Sequence, residues 1–183
     1  MRTNVAALLC VLLLAFGSMA AEDVNTSDIT VETIEPFYYA AVEMTGSYEK
    51  HGEGFETLYQ QIQSQGLETG EQMPFGIYYD DPAQVPIDSV KWDVGMALPE
   101  EQELQEPLTL KKWEHTTLVT MEYEGPITDE HMAILFGKLF GWMEAENYRV
   151  SGTVMEKFMS EMTQNDQGQW VGKIKLLLPA TKN

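Results

Sequence analysis

Glu156 is an acidic side chain in a setting that could place a carboxylate beside a small molecule. In the stretch Val154-Met155-Glu156-Lys157-Phe158, a β-strand would put Val154, Glu156 and Phe158 on one face of a sheet. A carboxylate among apolar neighbours is costly to bury without a partner, and partial burial would raise its pKa and its pull on a cation. The alternative is a solvent-exposed face on which Glu156 and Lys157 are hydrated.

Aromatic residues are the second feature with binding chemistry. Phe158 follows Tyr78 by 80 residues, which is the offset of the internal duplication described below, and Trp92 lies on the strand predicted after Tyr78. Aromatic faces beside a carboxylate suit flat or lipophilic cations through stacking and cation–π contacts. Ordinary core packing is the alternative for each ring. The candidate ligand-binding residues are Glu156, Tyr78, Phe158 and Trp92.

Other reactive side chains are sparse. The three histidines, His51, His115 and His131, have no metal-ligand spacing, so we expect surface or capping positions for them. Cys10 is the only cysteine, so cleavage of the N-terminal segment would leave no thiol and no disulfide. The sequence shows no Ser-His-Asp arrangement and no phosphate-binding glycine loop. We therefore expect no metal and no cofactor.

The elements that would position the candidate residues occur twice in the chain. Segments 94–99 and 174–179 both end in Leu-Pro, 80 residues apart. An apolar helical pattern in 55–62 recurs in 136–143 at an offset of 81, and an apolar run that ends at Gly46 matches one that ends at Gly125 at an offset of 79. Three matches at almost one offset indicate a duplication.

Each copy reads as strand, helix, strand, strand, from its alternating and helical periodicities. The predicted strands are 37–45, 75–79 and 91–98 in the first copy and 116–123, 150–158 and 170–178 in the second, with helices at 49–64 and 129–146. Segment 29–34 adds strand length before the first copy. The repeats span about 29–99 and 113–180, joined by a linker at 100–112. From these periodicities the predicted fold is α+β, with an antiparallel sheet and two helices formed by the two repeats.

The N-terminal sequence and the net charge indicate the compartment of the protein and limit the classes of partner that it can bind. Residues 1–20 have the charge, apolar run and small-residue end of a secretory signal peptide, with cleavage after Ala20 or Ala21. The apolar run is too short for a membrane span, so we expect a periplasmic or secreted domain over 21–183 with no stable membrane span. The net charge of −18 repels phosphate backbones and anionic lipids, so no nucleic-acid partner is expected.

Three stretches of the sequence are distinctive: 41–49 (AVEMTGSYE), 76–82 (GIYYDDP) and 92–94 (WDV). They resemble the GyrI-like small-molecule-binding family, which includes the effector-binding domains of AraC-type and multidrug-sensing regulators, and the resemblance covers about 29–179. Family members usually carry a tryptophan-glutamate-x-tyrosine motif, which reads Met155-Glu156-Lys157-Phe158 here. The resemblance implies that the two repeats are related by pseudo-twofold symmetry and that their antiparallel sheet encloses a ligand cleft with the helices on its outer face. It also implies that Glu156 sits in this cleft between the repeats. The turn that follows, Met159 to Met162, replaces an expected aspartate–proline turn.

Three functions are compatible with these observations. The first is an exported binding protein for an amphipathic or cationic organic molecule. The second, implied by hydrolases within the same family, is hydrolysis of a reactive small-molecule toxin with Glu156 as general base. The third is a module that binds a protein partner, whose identity the sequence does not name.

Overall fold

The computed structural model describes residues 24–70 and 73–183, and the predicted signal peptide lies outside them. Ten strands and two α-helices occur in the described residues, and the α+β class with a large antiparallel sheet is confirmed. The strands are β1 (Thr30–Thr33), β2 (Phe37–Thr45), β3 (Phe75–Tyr78), β4 (Lys91–Leu98), β5 (Leu108–Trp113), β6 (Thr117–Pro126), β7 (Tyr148–Val150), β8 (Val154–Phe158), β9 (Thr163–Gln164) and β10 (Trp170–Lys182). The helices are α1 (His51–Gln65) and α2 (Asp129–Ala145).

The order of strands in the sheet brings the two halves of the chain together at its centre. It runs β1-β6-β10-β8-β3-β4-β2-β5, with β7 and β9 paired to β10. From the central pair outward, the first half of the chain contributes β3, β4 and β2, and the second half contributes β8, β10 and β6. In each half these are the second, third and first strands of the predicted repeat. The predicted pseudo-twofold relation of the repeats stays a prediction, which this order permits.

The sheet is strongly curved. Strands β5 and β6 lie near opposite ends of the strand order, yet only residues 114–116 connect them. Three residues span about 10 Å, so the two ends of the sheet must approach each other. The inner face carries one apolar cluster, in which Tyr39, Phe75 and Trp113 pack with Met155 and Leu177.

Both helices pack on the outer face, each over its own half of the sheet. Leu58 of α1 is buried against Trp92 and Val94, and Leu135 and Leu139 of α2 belong to a second cluster with strands β6, β8 and β10. This agrees with the predicted outer position of the helices. The face that carries Glu156 is also this outer one, however, since its register partner Leu176 belongs to the α2 cluster. The space beside Glu156 therefore lies between the helices, and not inside the curve of the sheet.

Helix ends follow the local sequence. The Thr128 side chain accepts a hydrogen bond from the His131 amide and caps α2. Helix α1 ends at Gly66, whose φ of 63° lies in the left-handed region that glycine adopts without strain. A single 3₁₀ turn at Tyr48–Lys50 precedes α1, so the predicted start of this helix at 49 is replaced by a tighter turn.

Among the predicted boundaries that differ from the structure, three concern how the strands pair. Strand β1 pairs with β6 of the second half, and so does not extend the first copy. Residues 108–112 of the predicted linker form most of β5, which pairs with β2 because Leu108 has a buried place beside Val42. The predicted strand 150–158 is divided into β7 and β8 at 151–153, with Gly152 packed closely against His115 and Pro179.

None of the helices formed by residues 24–70 and 73–183 is long and apolar enough to cross a membrane.

Candidate functional site

Glu156 lies at the centre of the sheet with its carboxyl group out of solvent. Strand β8 runs between β10 and β3, so Glu156 is the register partner of Leu176 on one side and Gly76 on the other. Its exposed fraction is 5%. Burial among apolar groups disfavours the ionised form and raises the pKa of Glu156 from 4.5 to about 7, against the opposing effect of a hydrogen bond from Tyr78.

A chain of hydrogen bonds leads from this carboxyl group to the start of α1. The Tyr78 hydroxyl oxygen lies 2.9 Å from Glu156 Oε2 and donates to it when the carboxylate is ionised. His51 Nε2 lies 2.8 Å from the same hydroxyl oxygen, and His51 Nδ1 is hydrogen-bonded to the backbone carbonyl of Tyr48. Burial raises the pKa of Tyr78 well above its ordinary value and lowers the pKa of His51 to about 4.

Aromatic rings surround this chain. The His51 ring centroid lies 4.4 Å from that of Trp92 and 6.0 Å from that of Phe158. Tyr48 meets Tyr78 edge-on at 4.8 Å, and Phe55 meets Phe158 edge-on at 5.0 Å. The result is an aromatic cluster over a buried carboxyl group, which we call the Glu156 site: Tyr48, His51, Phe55, Tyr78, Trp92, Glu156 and Phe158.

Local sequence explains how the rings from α1 reach the site. His51 and Phe55 are four residues apart, so they lie on the same face of the helix. The preceding turn is fixed at Gly46, whose φ of 103° suits glycine. Trp92 Nε1 donates to the Gly46 carbonyl oxygen at 3.1 Å, and the Gly46 amide donates to the Val90 carbonyl. Strand β4 therefore sets the position of the helix start.

The absence of a side chain at Gly76 leaves room for the Tyr78 ring. A Cβ atom at position 76 would lie 2.5 Å from the Tyr78 hydroxyl oxygen and 2.8 Å from its Cζ atom. The Tyr78 ring thus folds back over Gly76, which brings its hydroxyl to the carboxyl group of Glu156 on the neighbouring strand.

The structure brings the four predicted residues, Glu156, Tyr78, Phe158 and Trp92, into one cluster, and their role in binding stays a prediction. The expectation for His51 is wrong, since its ring is half-buried within the cluster and contacts Tyr78. Tyr48 and Phe55 were not among the candidates. The i, i+4 spacing of His51 and Phe55 was the available signal, but it indicates a helix face and not what that face contacts.

The Glu156 site is covered by its own side chains. Trp92 is 1% and Phe158 8% exposed. Phe55 packs against both outer clusters and so bridges the two halves of the sheet. Access for a ligand therefore requires the rings of α1 to move, most directly those of His51 and Phe55.

A second buried carboxylate, Asp93, lies on the inner face of the sheet. Its exposed fraction is 1%, Lys111 Nζ lies 2.8 and 3.1 Å from its two oxygens, and the Tyr79 hydroxyl donates to it at 2.5 Å. Lys111 also pairs with Glu43 at 2.7 Å. Asp93 is therefore charge-compensated, whereas no cation faces Glu156 among the interactions that shift its pKa. Within the described ranges, no group of three or more His, Cys, Asp or Glu side chains is placed to hold a metal ion.

A family comparison identifies the fold. The model of the GyrI-like small molecule binding domain matches residues 27–179. The chain belongs to this family. The match spans both helices and the Glu156 site, so the buried glutamate of this GyrI-like chain lies within the family's domain. A search of curated protein sequences gives no match.

Solved structures with the same fold include a protein in complex with DNA. In a cryo-EM structure of an EcmrR–DNA complex, EcmrR is 14% identical with a TM-score of 0.69; 85% of the GyrI-like chain is covered, but only 58% of EcmrR. The crystal structure of the EcmrR C-terminal domain gives 14% identity, a TM-score of 0.68, and coverage of 85% and 98%. The chain thus corresponds in length to that C-terminal domain.

Two further proteins share the fold at low identity. A hydrolase encoded by lin2189 from Listeria innocua is 14% identical, with a TM-score of 0.60 and coverage of 84% of this chain and 91% of the hydrolase. SAV2435, solved bound to tetraphenylphosphonium, is 10% identical, with a TM-score of 0.52 and coverage of 85% and 94%. These likenesses establish the fold of the GyrI-like chain and not its ligand.

Proposed function

We propose that this chain is an exported GyrI-like binding protein that holds an amphipathic or cationic organic molecule at the Glu156 site. The observation that carries the proposal is a buried carboxyl group, set among aromatic rings, to which the described part of the chain brings no cationic partner. A lipophilic cation supplies the missing charge and replaces ring–ring contacts by ring–cation contacts. SAV2435, which shares the fold, is bound to such a cation.

The charge of the chain selects against other ligand classes. A lipophilic anion would gain no compensating charge from the Glu156 carboxyl group and would meet a protein of net charge −18 around it. The same charge repels nucleic acid, so we do not assign the DNA binding of the EcmrR complex to this chain. Processing of residues 1–20 would place the domain in the periplasm or outside the cell, and N-terminal mass analysis of the exported protein tests this part.

Size-matched probes of opposite charge test the ligand class. Tetraphenylphosphonium and tetraphenylborate have nearly the same shape, and triphenylphosphine oxide is a neutral analogue. At a hundred times its dissociation constant, a ligand adds about 2.7 kcal/mol to the free energy of unfolding. We expect the phosphonium to raise the melting temperature of the exported protein, the borate to leave it unchanged, and Glu156→Gln to abolish the gain.

A matched variant controls for the loss of one negative charge. Glu124 is exposed on β6, so Glu124→Gln removes the same charge away from the site. This variant should keep the full response to tetraphenylphosphonium. Equal stabilisation by the borate, or an undiminished response in Glu156→Gln, would contradict the proposal. No response to any probe by a folded protein would favour the protein-partner function.

Hydrolysis of a reactive small molecule is the second candidate function. The fold is shared with the Listeria innocua hydrolase, and the pKa of Glu156, about 7, suits a general base at neutral pH. Incubation of a cyclopropane-containing electrophile in ¹⁸O-labelled water would show one labelled oxygen in the product, with formation lost in Glu156→Gln. Recovery of the intact compound from the protein would identify a binder instead of an enzyme.

A further inference from the structure

The hydrogen-bond chain at the Glu156 site is complete only when it holds three protons. It contains three contacts, Tyr48 carbonyl to His51 Nδ1, His51 Nε2 to Tyr78 Oη, and Tyr78 Oη to Glu156 Oε2. Each contact needs one proton between its two heavy atoms. The Tyr48 carbonyl can only accept, so the proton of the first contact must sit on His51 Nδ1.

The proton on His51 Nδ1 limits the directions that the other two hydrogen bonds can take. A neutral His51 with its proton on Nδ1 has a bare Nε2, which accepts a proton from the Tyr78 hydroxyl. Tyr78 has no second proton, so it accepts at the third contact, and Glu156 must then be a carboxylic acid that donates to it. A second complete arrangement has a cationic His51 and an ionised Glu156, with Tyr78 donating to the carboxylate; a third, with Tyr78 as a tyrosinate, is excluded because burial raises the pKa of Tyr78 well above its ordinary value.

Of the neutral and the charge-separated arrangements, burial in an apolar cluster favours the neutral one. The second separates two opposite charges by a tyrosine in an apolar cluster, which is the costlier state. The depressed pKa of His51 and the raised pKa of Glu156 favour the neutral arrangement in the same direction. An ionised Glu156 beside a neutral His51 has only two protons for three contacts, so one contact is lost.

The groups that face Glu156 from other elements do not supply a competing charge. Strand β10 presents the apolar Leu176 and β3 presents Gly76 and Tyr78. Helix α1 presents His51 and Phe55, and the buried residues of α2 are the apolar Leu135, Leu139 and Met143. Lys157 is the next residue on β8 and so projects from the opposite face of the sheet.

We propose that His51 is a positioning residue that, through Tyr78, keeps Glu156 in its proton-donating acid form while the site is covered, and that entry of an organic cation expels this proton. The inference rests on the proposed function. In the exchange, the O–H bond of the Glu156 acid breaks, the carboxylate keeps the electron pair, and the proton passes to the buffer. One positive charge leaves as another enters, so the charge of the buried site is unchanged.

Calorimetry of tetraphenylphosphonium binding in pairs of buffers that differ in ionisation enthalpy, phosphate and Bis-Tris at pH 6 and Tricine and Tris at pH 8.5, measures the protons released. With the pKa of Glu156 at about 7, roughly 0.9 proton per cation should be released at pH 6 and almost none at pH 8.5. The dissociation constant of tetraphenylphosphonium should decrease about tenfold for each unit by which the pH rises towards 7, and it should be constant above pH 7.

A ligand-free measurement isolates the role of His51. The ¹³C shift of the Glu156 carboxyl carbon, followed against pH, gives its midpoint directly. His51→Phe keeps the ring and the burial but frees the Tyr78 proton for the carboxylate, so the midpoint should fall by about one unit. In a Tyr78→Phe background, His51→Phe should produce no such fall, because His51 acts through Tyr78. This double variant separates the relay from a purely structural role.

Each outcome bears on one proposal. An unchanged midpoint in His51→Phe, or an equal fall in the Tyr78→Phe background, would overturn the role of His51. Cation binding that depends on Glu156 but releases no proton at pH 6 would overturn the exchange and leave the proposed function intact. Cation binding that is undiminished in Glu156→Gln would remove the proposed function itself.

Discussion

Gly76 and Glu156 are register partners on the two central strands, β3 and β8, at the junction of the two halves of the chain. The residues are 80 positions apart, the offset at which the sequence repeats. One copy has a carboxyl group at this position, and the other has no side chain. The vacated space is filled by Tyr78, whose hydroxyl reaches the carboxyl group at 2.9 Å.

Gly76→Ala should therefore disturb the site more than its single methyl group suggests. The added Cβ would lie 2.5 Å from the Tyr78 hydroxyl oxygen, so the ring must leave Glu156 and His51. We expect a loss of about 1–3 kcal/mol in the free energy of unfolding, measured with urea. Gly137→Ala is the control, because a Cβ at this exposed position of α2 meets nothing within 4 Å, and alanine should stabilise the helix by about 1 kcal/mol. Equal effects of the two variants would contradict the packing argument.

The raised pKa of Glu156 predicts a pH dependence of stability. Because the folded protein binds this proton more tightly than the unfolded chain, the stabilisation is fully present below pH 4.5 and is lost as pH rises through about 7. Relative to Glu156→Gln, the wild type should lose about 3 kcal/mol across this window. Urea unfolding at pH 5, 6, 7 and 8 measures the difference. The free energy of unfolding of Glu124→Gln, a variant at an exposed position, should change with pH as that of the wild type does. A difference between Glu156→Gln and the wild type that stays constant with pH would show that Glu156 does not take up a proton on folding.

Lys111 and Lys112 are adjacent lysines that we predict to contribute unequally to the stability of the folded protein. Lys111 compensates the buried Asp93 at 2.8 Å, so Lys111→Met leaves a carboxylate of 1% exposure without a cation and should cost about 3 kcal/mol. Lys112 pairs with Glu114 at the surface, where solvent screens the pair, so Lys112→Met should leave the free energy of unfolding almost unchanged. Addition of Asp93→Asn to Lys111→Met should restore most of the loss. Failure of this rescue would place the cost in the lysine stem and not in the uncompensated charge.

Trp92 is predicted to hold the start of α1 through its indole N–H. In Trp92→Phe the Gly46 carbonyl loses its donor at 3.1 Å, which should cost about 1–3 kcal/mol and loosen the turn that presents Tyr48 and His51. Hydrogen exchange should therefore accelerate at amides 48–55 ahead of the rest of the protein. Trp170, which is 52% exposed, supplies the control, since Trp170→Phe should leave this exchange unchanged. Uniform acceleration over the whole chain would indicate a global loss of stability instead.

Much of the local structure could be predicted from the sequence because its causes are local. Strands 37–45 and 91–98 have their predicted bounds, and α2 ends within one residue of its prediction. Alternation placed Glu156 and Phe158 on one face, and the duplication related Tyr78 to Phe158. The strand at 108–113 was missed because it follows a run rich in glutamate and glutamine, and its pairing with β2 is a long-range contact.

The sequence by itself determined most of the elements, their order within each half, and the residue types available to a binding site. Periodicity, glycine and proline act over a few residues, so they can be read without knowledge of the fold. Only the tertiary structure decided that Glu156 is buried between the helices and that His51 reaches it through Tyr78. Burial and hydrogen bonding depend on which strands pair and how the sheet curves, and those are set by contacts between residues far apart in the chain.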